Sequence, residues 1–183
     1  GRWLLFLNPD TRLLTNQSGI LELIRGQGDF GIISPQLINE SGETQEWSNG
    51  KIPSLIKLFW NNIINKTKEK NESNNTSRIV GWVSGAAMFV KKNTFDDIGG
   101  FDETFFMYFE DIDFCKRAKE IGIKTVYFPN EKIEHLGGKS VGDKRKQKSD
   151  YYESQDHYFK KHHGIAAAFM VKFLRKLFKK NNA

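Results

Sequence analysis

The chain has 183 residues, 38% hydrophobic and 27% charged, a composition ordinary for one globular domain long enough to bury a real core. No run approaches the roughly 18–20 apolar residues that a spanning helix needs, and the single cysteine, Cys115, excludes an internal disulfide and offers no zinc spacing, which fits a reducing compartment. A net charge of +6 and a pI near 9.3 favour partners that carry phosphate, whether nucleotide, nucleic acid or lipid head group, without choosing among them.

Trp3–Leu7 reads as a short buried strand, too brief for the apolar region of a secretory signal. With no initiator methionine before it, the chain is expected to be cut from something longer. Asn8-Pro9-Asp10-Thr11 ends this strand and leaves Asp10 at its carboxyl end. Leu13–Ile24 is compatible with a helix, and Gly26, Gly28 and Gly31 lead into a second strand, Phe30–Ile33, before Pro35. Asn39–Gly50 is polar and turn-rich, residues 52–65 mix aromatic and aliphatic side chains, and Lys66–Ser77 is almost wholly polar, the expected surface loop. Ile79–Val90 reads as strand, tight approach, strand, and a short helix capped by Asn93 is expected to end at Gly99-Gly100.

The clearest helix runs from Glu110 to Ile121, where Phe114, Cys115, Ala118 and Ile121 recur at i, i+1, i+4 and i+7 and Gly122 stands ready to stop it. Lys124–Phe128 is a strand closed by Pro129. Strands alternating with helices predict an α/β sheet over residues 1–148. Residues 149–183 form a helical, basic extension: Tyr151–His163 alternates aromatic with basic groups, and after Gly164 the stretch Ile165–Lys180 is a basic, amphipathic helix of the kind that anchors at membrane interfaces. Lys139–Lys148 holds five basic residues and one acid.

Three places carry the residue types of chemistry. Asp10 lies where α/β sheets bind ligands and suits a hard cation such as magnesium or manganese, or it caps the following turn. Glu110-Asp111-Ile112-Asp113 opens a helix whose dipole favours carboxylates. Asp111 shares a face with Cys115 and Ala118 while Asp113 points elsewhere, so Asp111 either is a general base at the edge of the core or compensates the dipole. His135, followed by Gly137-Gly138, would complete a metal site with Asp10 or is a satisfied loop histidine. Gly85-Ala86-Ala87 and Gly99-Gly100-Phe101-Asp102 are small-residue segments suited to a sugar wall, without dinucleotide-binding spacing.

Taken in order, Phe6–Thr11, Gly85–Val90, Ile98–Phe106, Glu110–Ala118 and His135–Ser140 resemble glycosyltransferase family 2, and within it the rhamnosyltransferase-like members, over about residues 3–163. The resemblance implies a GT-A-like mixed sheet flanked by helices and an inverting displacement in which Asp111 deprotonates the acceptor hydroxyl. Asp10, in the place of the family's Asp-x-Asp motif, would bind Mg2+ or Mn2+ with His135 as a further ligand; Asn8 stands where the motif's first acid would be and is a weaker, neutral ligand. Asn8, Trp82, Gly85, Gly100, Asp102, Glu110 and Arg117 form the expected substrate-binding set, with Arg117 helping to hold the acidic helix, and Lys139–Lys148 would close over the diphosphate. The family's first half, with the base-binding aspartate, would precede residue 1. The implied partners are a nucleotide-sugar donor and a saccharide or lipid-linked saccharide acceptor, with peripheral membrane contact and no nucleic acid, and the implied location is bacterial cytoplasm at the inner membrane face. The competing readings are a non-catalytic glycosyltransferase remnant and a basic membrane-surface module.

Overall fold

The structure is a computed structural model that describes residues 1–14, 18–25, 28–55, 76–137 and 144–180. Most of the expected loop at Lys66–Ser77, most of residues 52–65, Gly26, Gly138 and the start of the basic Lys139–Lys148 stretch lie outside the described residues. The chain divides into two compact units, the first built from Gly1–Ile52, Glu72–Asp102 and Glu110–Gly142, the second from Pro53–Asn71, Glu103–Phe109 and Asp143–Ala183.

The first unit is a mixed sheet. Its strands are β1 (Trp3–Leu7), β2 (Thr11–Leu13), β3 (Ile32–Ile38), β5 (Arg78–Val80), β7 (Ala87–Lys91) and β8 (Thr125–His135), in the order β1-β7-β3-β8-β2 with β5 also on β8. Only β3 and β8 run parallel. A small antiparallel pair, β4 (Asn49–Gly50) with β6 (Trp82–Val83), stands beside it. The central β3 is buried almost throughout, as a near-continuous apolar run covered on both faces should be.

Of the three prolines expected to end strands, Pro9 lies beyond β1, whereas Pro35 and Pro129 lie inside β3 and β8. Pro35 pairs with Phe128 and Gln36 with Lys132, so residues 129–131 loop out of β8 and the ladder resumes. Proline cannot donate to a ladder, and a bulge is where a sheet tolerates one. The excursion has a use: buried Glu131 accepts a 2.7 Å hydrogen bond at Oε1 from the Gly19 N–H, supplying a carboxylate to the amino end of α1 (Ser18–Arg25). Leu13, read as the start of a helix, belongs instead to β2, where Thr11–Leu13 pairs with residues 133–135. Trp3–Leu7 is an edge rather than a buried strand, with Leu5 and Leu7 exposed.

Helix α2 (Lys92–Ile98) follows β7 directly. Lys91 is its N-cap residue, not Asn93, and Gly99 closes it at φ 79°, with the Gly99 and Gly100 N–H groups on the Asp96 and Phe95 carbonyls; left-handed backbone at that position is what glycine supplies. Helix α3 (Glu110–Glu120) lays Phe114, Cys115 and Ala118, all fully buried, against Ile32, Val83, Met88, Val90 and Tyr127. Phe95 and Phe101 pack on Phe114 and Phe6 packs on both of them, in stacked, tilted and edge-on pairs with centroids 4.8–6.1 Å apart, so the site helix rests on a dense aromatic wedge.

The second unit holds a helical hairpin, α4 (Lys144–His163) and α5 (Ile165–Lys180), turned at Gly164 with φ +86°. Helix α4 takes up Lys144–Lys148, the described part of the basic Lys139–Lys148 stretch, and runs on through position 149. Segment Glu103–Phe109 is fastened to α4 by Ser154 Oγ donating to the Met107 carbonyl at 2.6 Å and by Thr104 Oγ1 2.8 Å from His157 Nε2. Arg175 of α5 reaches Asp156 at 2.5 Å and Gln155 at 3.0 Å on α4, and covers the Tyr152 ring.

Candidate active site

Asp111 occupies the first turn of α3. Its Oδ1 accepts the Ile112 N–H at 2.7 Å, and its Oδ2 accepts the Gly85 N–H at 3.0 Å from the segment between β6 and β7. Those donors favour the ionised form, yet burial outweighs them and holds the Asp111 carboxyl above the usual aspartate range. Glu110 beside it is raised to about 7, chiefly by burial and then by the Asp111 charge, and its Oε2 is buried with no hydrogen-bond partner among the described residues. Glu110 thus titrates near neutrality and Asp111 is raised in the same direction; a carboxylate whose affinity for a proton is raised by burial is what a base for a hydroxyl requires.

Asp113 points to another side of α3 from Asp111, as expected, and is fully buried there. Arg117 Nε donates to its Oδ2 at 2.8 Å, while Nη1 and Nη2 donate to the Ile98 and Gly100 carbonyls at 2.7 and 2.8 Å. The α2 terminus covers that side of α3, which heptad-style counting along one helix cannot foresee. Arg117 therefore spends its fork on the protein's own backbone, and Gly100, at φ +76° and with Phe95 3.2 Å from where a Cβ would lie, serves the turn.

Gly85 contributes an N–H rather than space, since a Cβ there would meet Asp111 Cβ at an ordinary 3.7 Å. Trp82 lies half-buried on β6 with its indole nitrogen 2.9 Å from where a Gly50 Cβ would be, and Asp102 sits half-buried just past the α2 turn.

A second corner adjoins the first. The Asn8 N–H donates to the Ala86 carbonyl at 3.0 Å, one residue beyond Gly85. The turn after β1 is closed by the Asn8 carbonyl, which accepts the Thr11 N–H at 3.2 Å and its hydroxyl at 2.7 Å. The Asp10 carbonyl accepts the Leu136 N–H at 2.9 Å, and Thr11 pairs with His135. This zipper sets Asp10 Oδ1 3.4 Å from His135 Nε2, with both side chains mostly buried, and Asn8 Nδ2 3.5 Å from the same nitrogen. His135 is thus a strand residue, at the last position of β8.

Gln45, which no motif in the sequence marks, holds the far side of the His135 ring: its Oε1 lies 2.9 Å from Nδ1, and its Nε2 donates to the His135 carbonyl at 2.7 Å. Among the described residues no three His, Cys, Asp or Glu converge as a metal cluster. One carboxylate and one imidazole, with an amide oxygen at hand, fit a cation that takes its remaining ligands from phosphate and water.

Residues 3–181 match the family described as Glycosyl transferase family group 2. The chain is 30% identical over 150 residues to an N-acetylglucosaminyl-diphospho-decaprenol L-rhamnosyltransferase of Mycobacterium tuberculosis, covering 76% of this chain and 48% of that protein. It is 32% identical over 132 residues to Rhamnosyltransferase WbbL of Escherichia coli, covering 69% of this chain and 49% of that protein. The chain therefore spans about half the length of these relatives. Its fold is similar to that of GalNAc-T7, solved with UDP, GalNAc and Mn2+, at a TM-score of 0.51 and 13% identity over 74% of this chain and 27% of that one. The architecture is GT-A-like, and the chain belongs to glycosyl transferase family group 2, a family of sugar-transferring enzymes.

Proposed function

We propose that the protein transfers a sugar, with inversion, from a nucleoside-diphosphate sugar to a saccharide or lipid-linked saccharide, and that Asp111 is its base. Asp111 takes the proton of an acceptor hydroxyl, the oxygen attacks the anomeric carbon, and the bond to the diphosphate breaks as the new glycosidic bond forms on the opposite face. The nucleoside diphosphate leaves with the bonding electron pair. The carrying observation is the Asp111 carboxylate, fixed by the Gly85 N–H and kept above its normal pKa by burial. Glu110, Trp82 and the Gly100–Asp102 turn are proposed to shape the acceptor side, and Asn8 the donor side.

Asp10 and His135 would hold Mg2+ or Mn2+, a cation that neutralises charge growing on a departing diphosphate. Asn8 weakens this ligand set relative to an acid, so phosphate oxygens carry more of the coordination. The rhamnosyltransferase names of the two relatives support rhamnose as the sugar, and the name of the Mycobacterium tuberculosis relative supports a diphospholipid-linked saccharide as the acceptor. The test is transfer from a panel of nucleotide sugars with each cation, in the protein and its Asp111→Asn form. Transfer lost in the variant supports the reading; no transfer together with no nucleotide or metal binding leaves a non-catalytic remnant.

A lipid-linked acceptor would be met at a membrane surface, and α5 supports that location. Ile165, Phe169, Phe173 and Leu177 recur every fourth residue and are 47–65% exposed, with Lys172 and Lys176 between them. Apolar residues flanked by lysines match an anionic bilayer interface. No described helix is long and apolar enough to cross a membrane. Sedimentation with anionic vesicles, lost on Phe169→Ser with Phe173→Ser and weak with neutral vesicles, is the expected result; equal recovery of both forms would remove α5 from the reading.

A further inference from the structure

The Gln45 contacts determine which nitrogen of His135 carries the proton. The His135 carbonyl can only accept, so the end of the Gln45 amide 2.7 Å from it is the NH2 group. The other end is then the carbonyl oxygen, also an acceptor only, and it lies 2.9 Å from Nδ1. Nδ1 must therefore be the donor, which leaves Nε2 of the neutral ring as a bare lone pair facing Asp10 and Asn8. Asn8 Nδ2 at 3.5 Å is a donor suited to that lone pair. We infer that Gln45 is a positioning residue that locks His135 in the Nδ1–H tautomer and so aims an unprotonated Nε2 into the Asp10 corner.

The latch is itself held. The Gln45 N–H donates to the Leu37 carbonyl on β3 at 2.9 Å, and its carbonyl accepts the Ser48 N–H at 3.2 Å. Gly137, at φ +46°, supplies a left-handed turn beside the latch; a Cβ there would lie at ordinary contact distances, 3.4 Å from Gln45 Nε2 and 3.7 Å from the His135 ring. An imidazole whose second nitrogen donates to a fixed acceptor is oriented as metal-binding histidines are, and losing such a support costs about 10–100-fold in metal affinity.

That Nε2 serves a cation rests on the function proposed above; the tautomer does not. Nitrogen-15 correlation spectra of the neutral His135 ring should show Nδ1–H in the metal-free protein. Gln45→Leu should release the ring toward Nε2–H and weaken Mn2+ binding, read by electron paramagnetic resonance, by about 10–100-fold. Gln45→Glu, which keeps an acceptor for Nδ1, should retain the tautomer. An Nε2–H ring in the unaltered protein overturns the inference with no variant needed, as does a Gln45→Leu form with the same tautomer and the same Mn2+ affinity. If the tautomer follows Gln45 while the unaltered protein binds no Mn2+, the latch stands and the cation reading fails.

Discussion

Two aspartates, Asp111 and Asp10, sit at neighbouring corners of one unit and are treated in opposite ways. Asp111 has two main-chain donors and is raised by burial. Asp10 faces an imidazole at 3.4 Å, longer than a charge-assisted bond. The first corner is completed by the chain itself, in the geometry a proton acceptor needs before substrate arrives. The second is organised at the histidine and its glutamine, and leaves the carboxylate free to turn toward an incoming charge.

The largest effect should come from the finished corner. Asp111→Asn keeps shape and the Gly85 contact but removes the base, so turnover should fall about 10²–10⁴-fold while Mn2+ binding at Asp10 stays unchanged; a loss of both would show that the two corners are not separable. Next, Arg117→Leu removes the guanidinium from the buried Asp113 carboxylate and releases the α2 terminus, which should cost about 3–5 kcal/mol in denaturant unfolding. If that variant instead lost less than about 1 kcal/mol, within the range of exposed pairs, the clamp would not be what fixes the helix.

The smallest effect is a pH signature. Glu110 is raised from 4.5 to about 7, so the folded state binds the extra proton between those values and stability drops as pH rises through them, remaining lower above 7. Glu110→Gln should therefore raise Tm by a few degrees at about pH 8 and little at about pH 4. A Tm difference independent of pH would mean that the charge is not the cause.

The helix at Glu110 and the strand-turn at Asn8–Thr11 were legible because local pattern and tertiary packing agree there. Pro35 and Pro129 were misread because a bulge is agreed between two strands distant in sequence, and neither proline carries a mark of it alone. The burial of Asp113 was not legible because an eleven-residue helix has more than one covered face, and the second cover, α2 with Gly100, is a tertiary fact. Gln45 was invisible for a similar reason: an amide in a polar stretch has no periodicity, and its meaning comes from His135, ninety residues away. Motif resemblance supplied the family and held several of the supports, Gly85 for Asp111 and Arg117 for Asp113, whereas Gln45, the support of His135, lies outside every motif.

The Gly85-Ala86 dipeptide donates its first N–H to Asp111 and offers its second carbonyl to Asn8. It acts as a strut of main-chain atoms between the proposed base and the proposed cation corner, and main-chain atoms do not change when a side chain is replaced. A substitution at Ala86 that kept the backbone would alter the wall without altering this separation. Divergence in which sugar or acceptor is used can then accumulate in the surrounding loops while the span between attacking and departing groups is inherited unchanged.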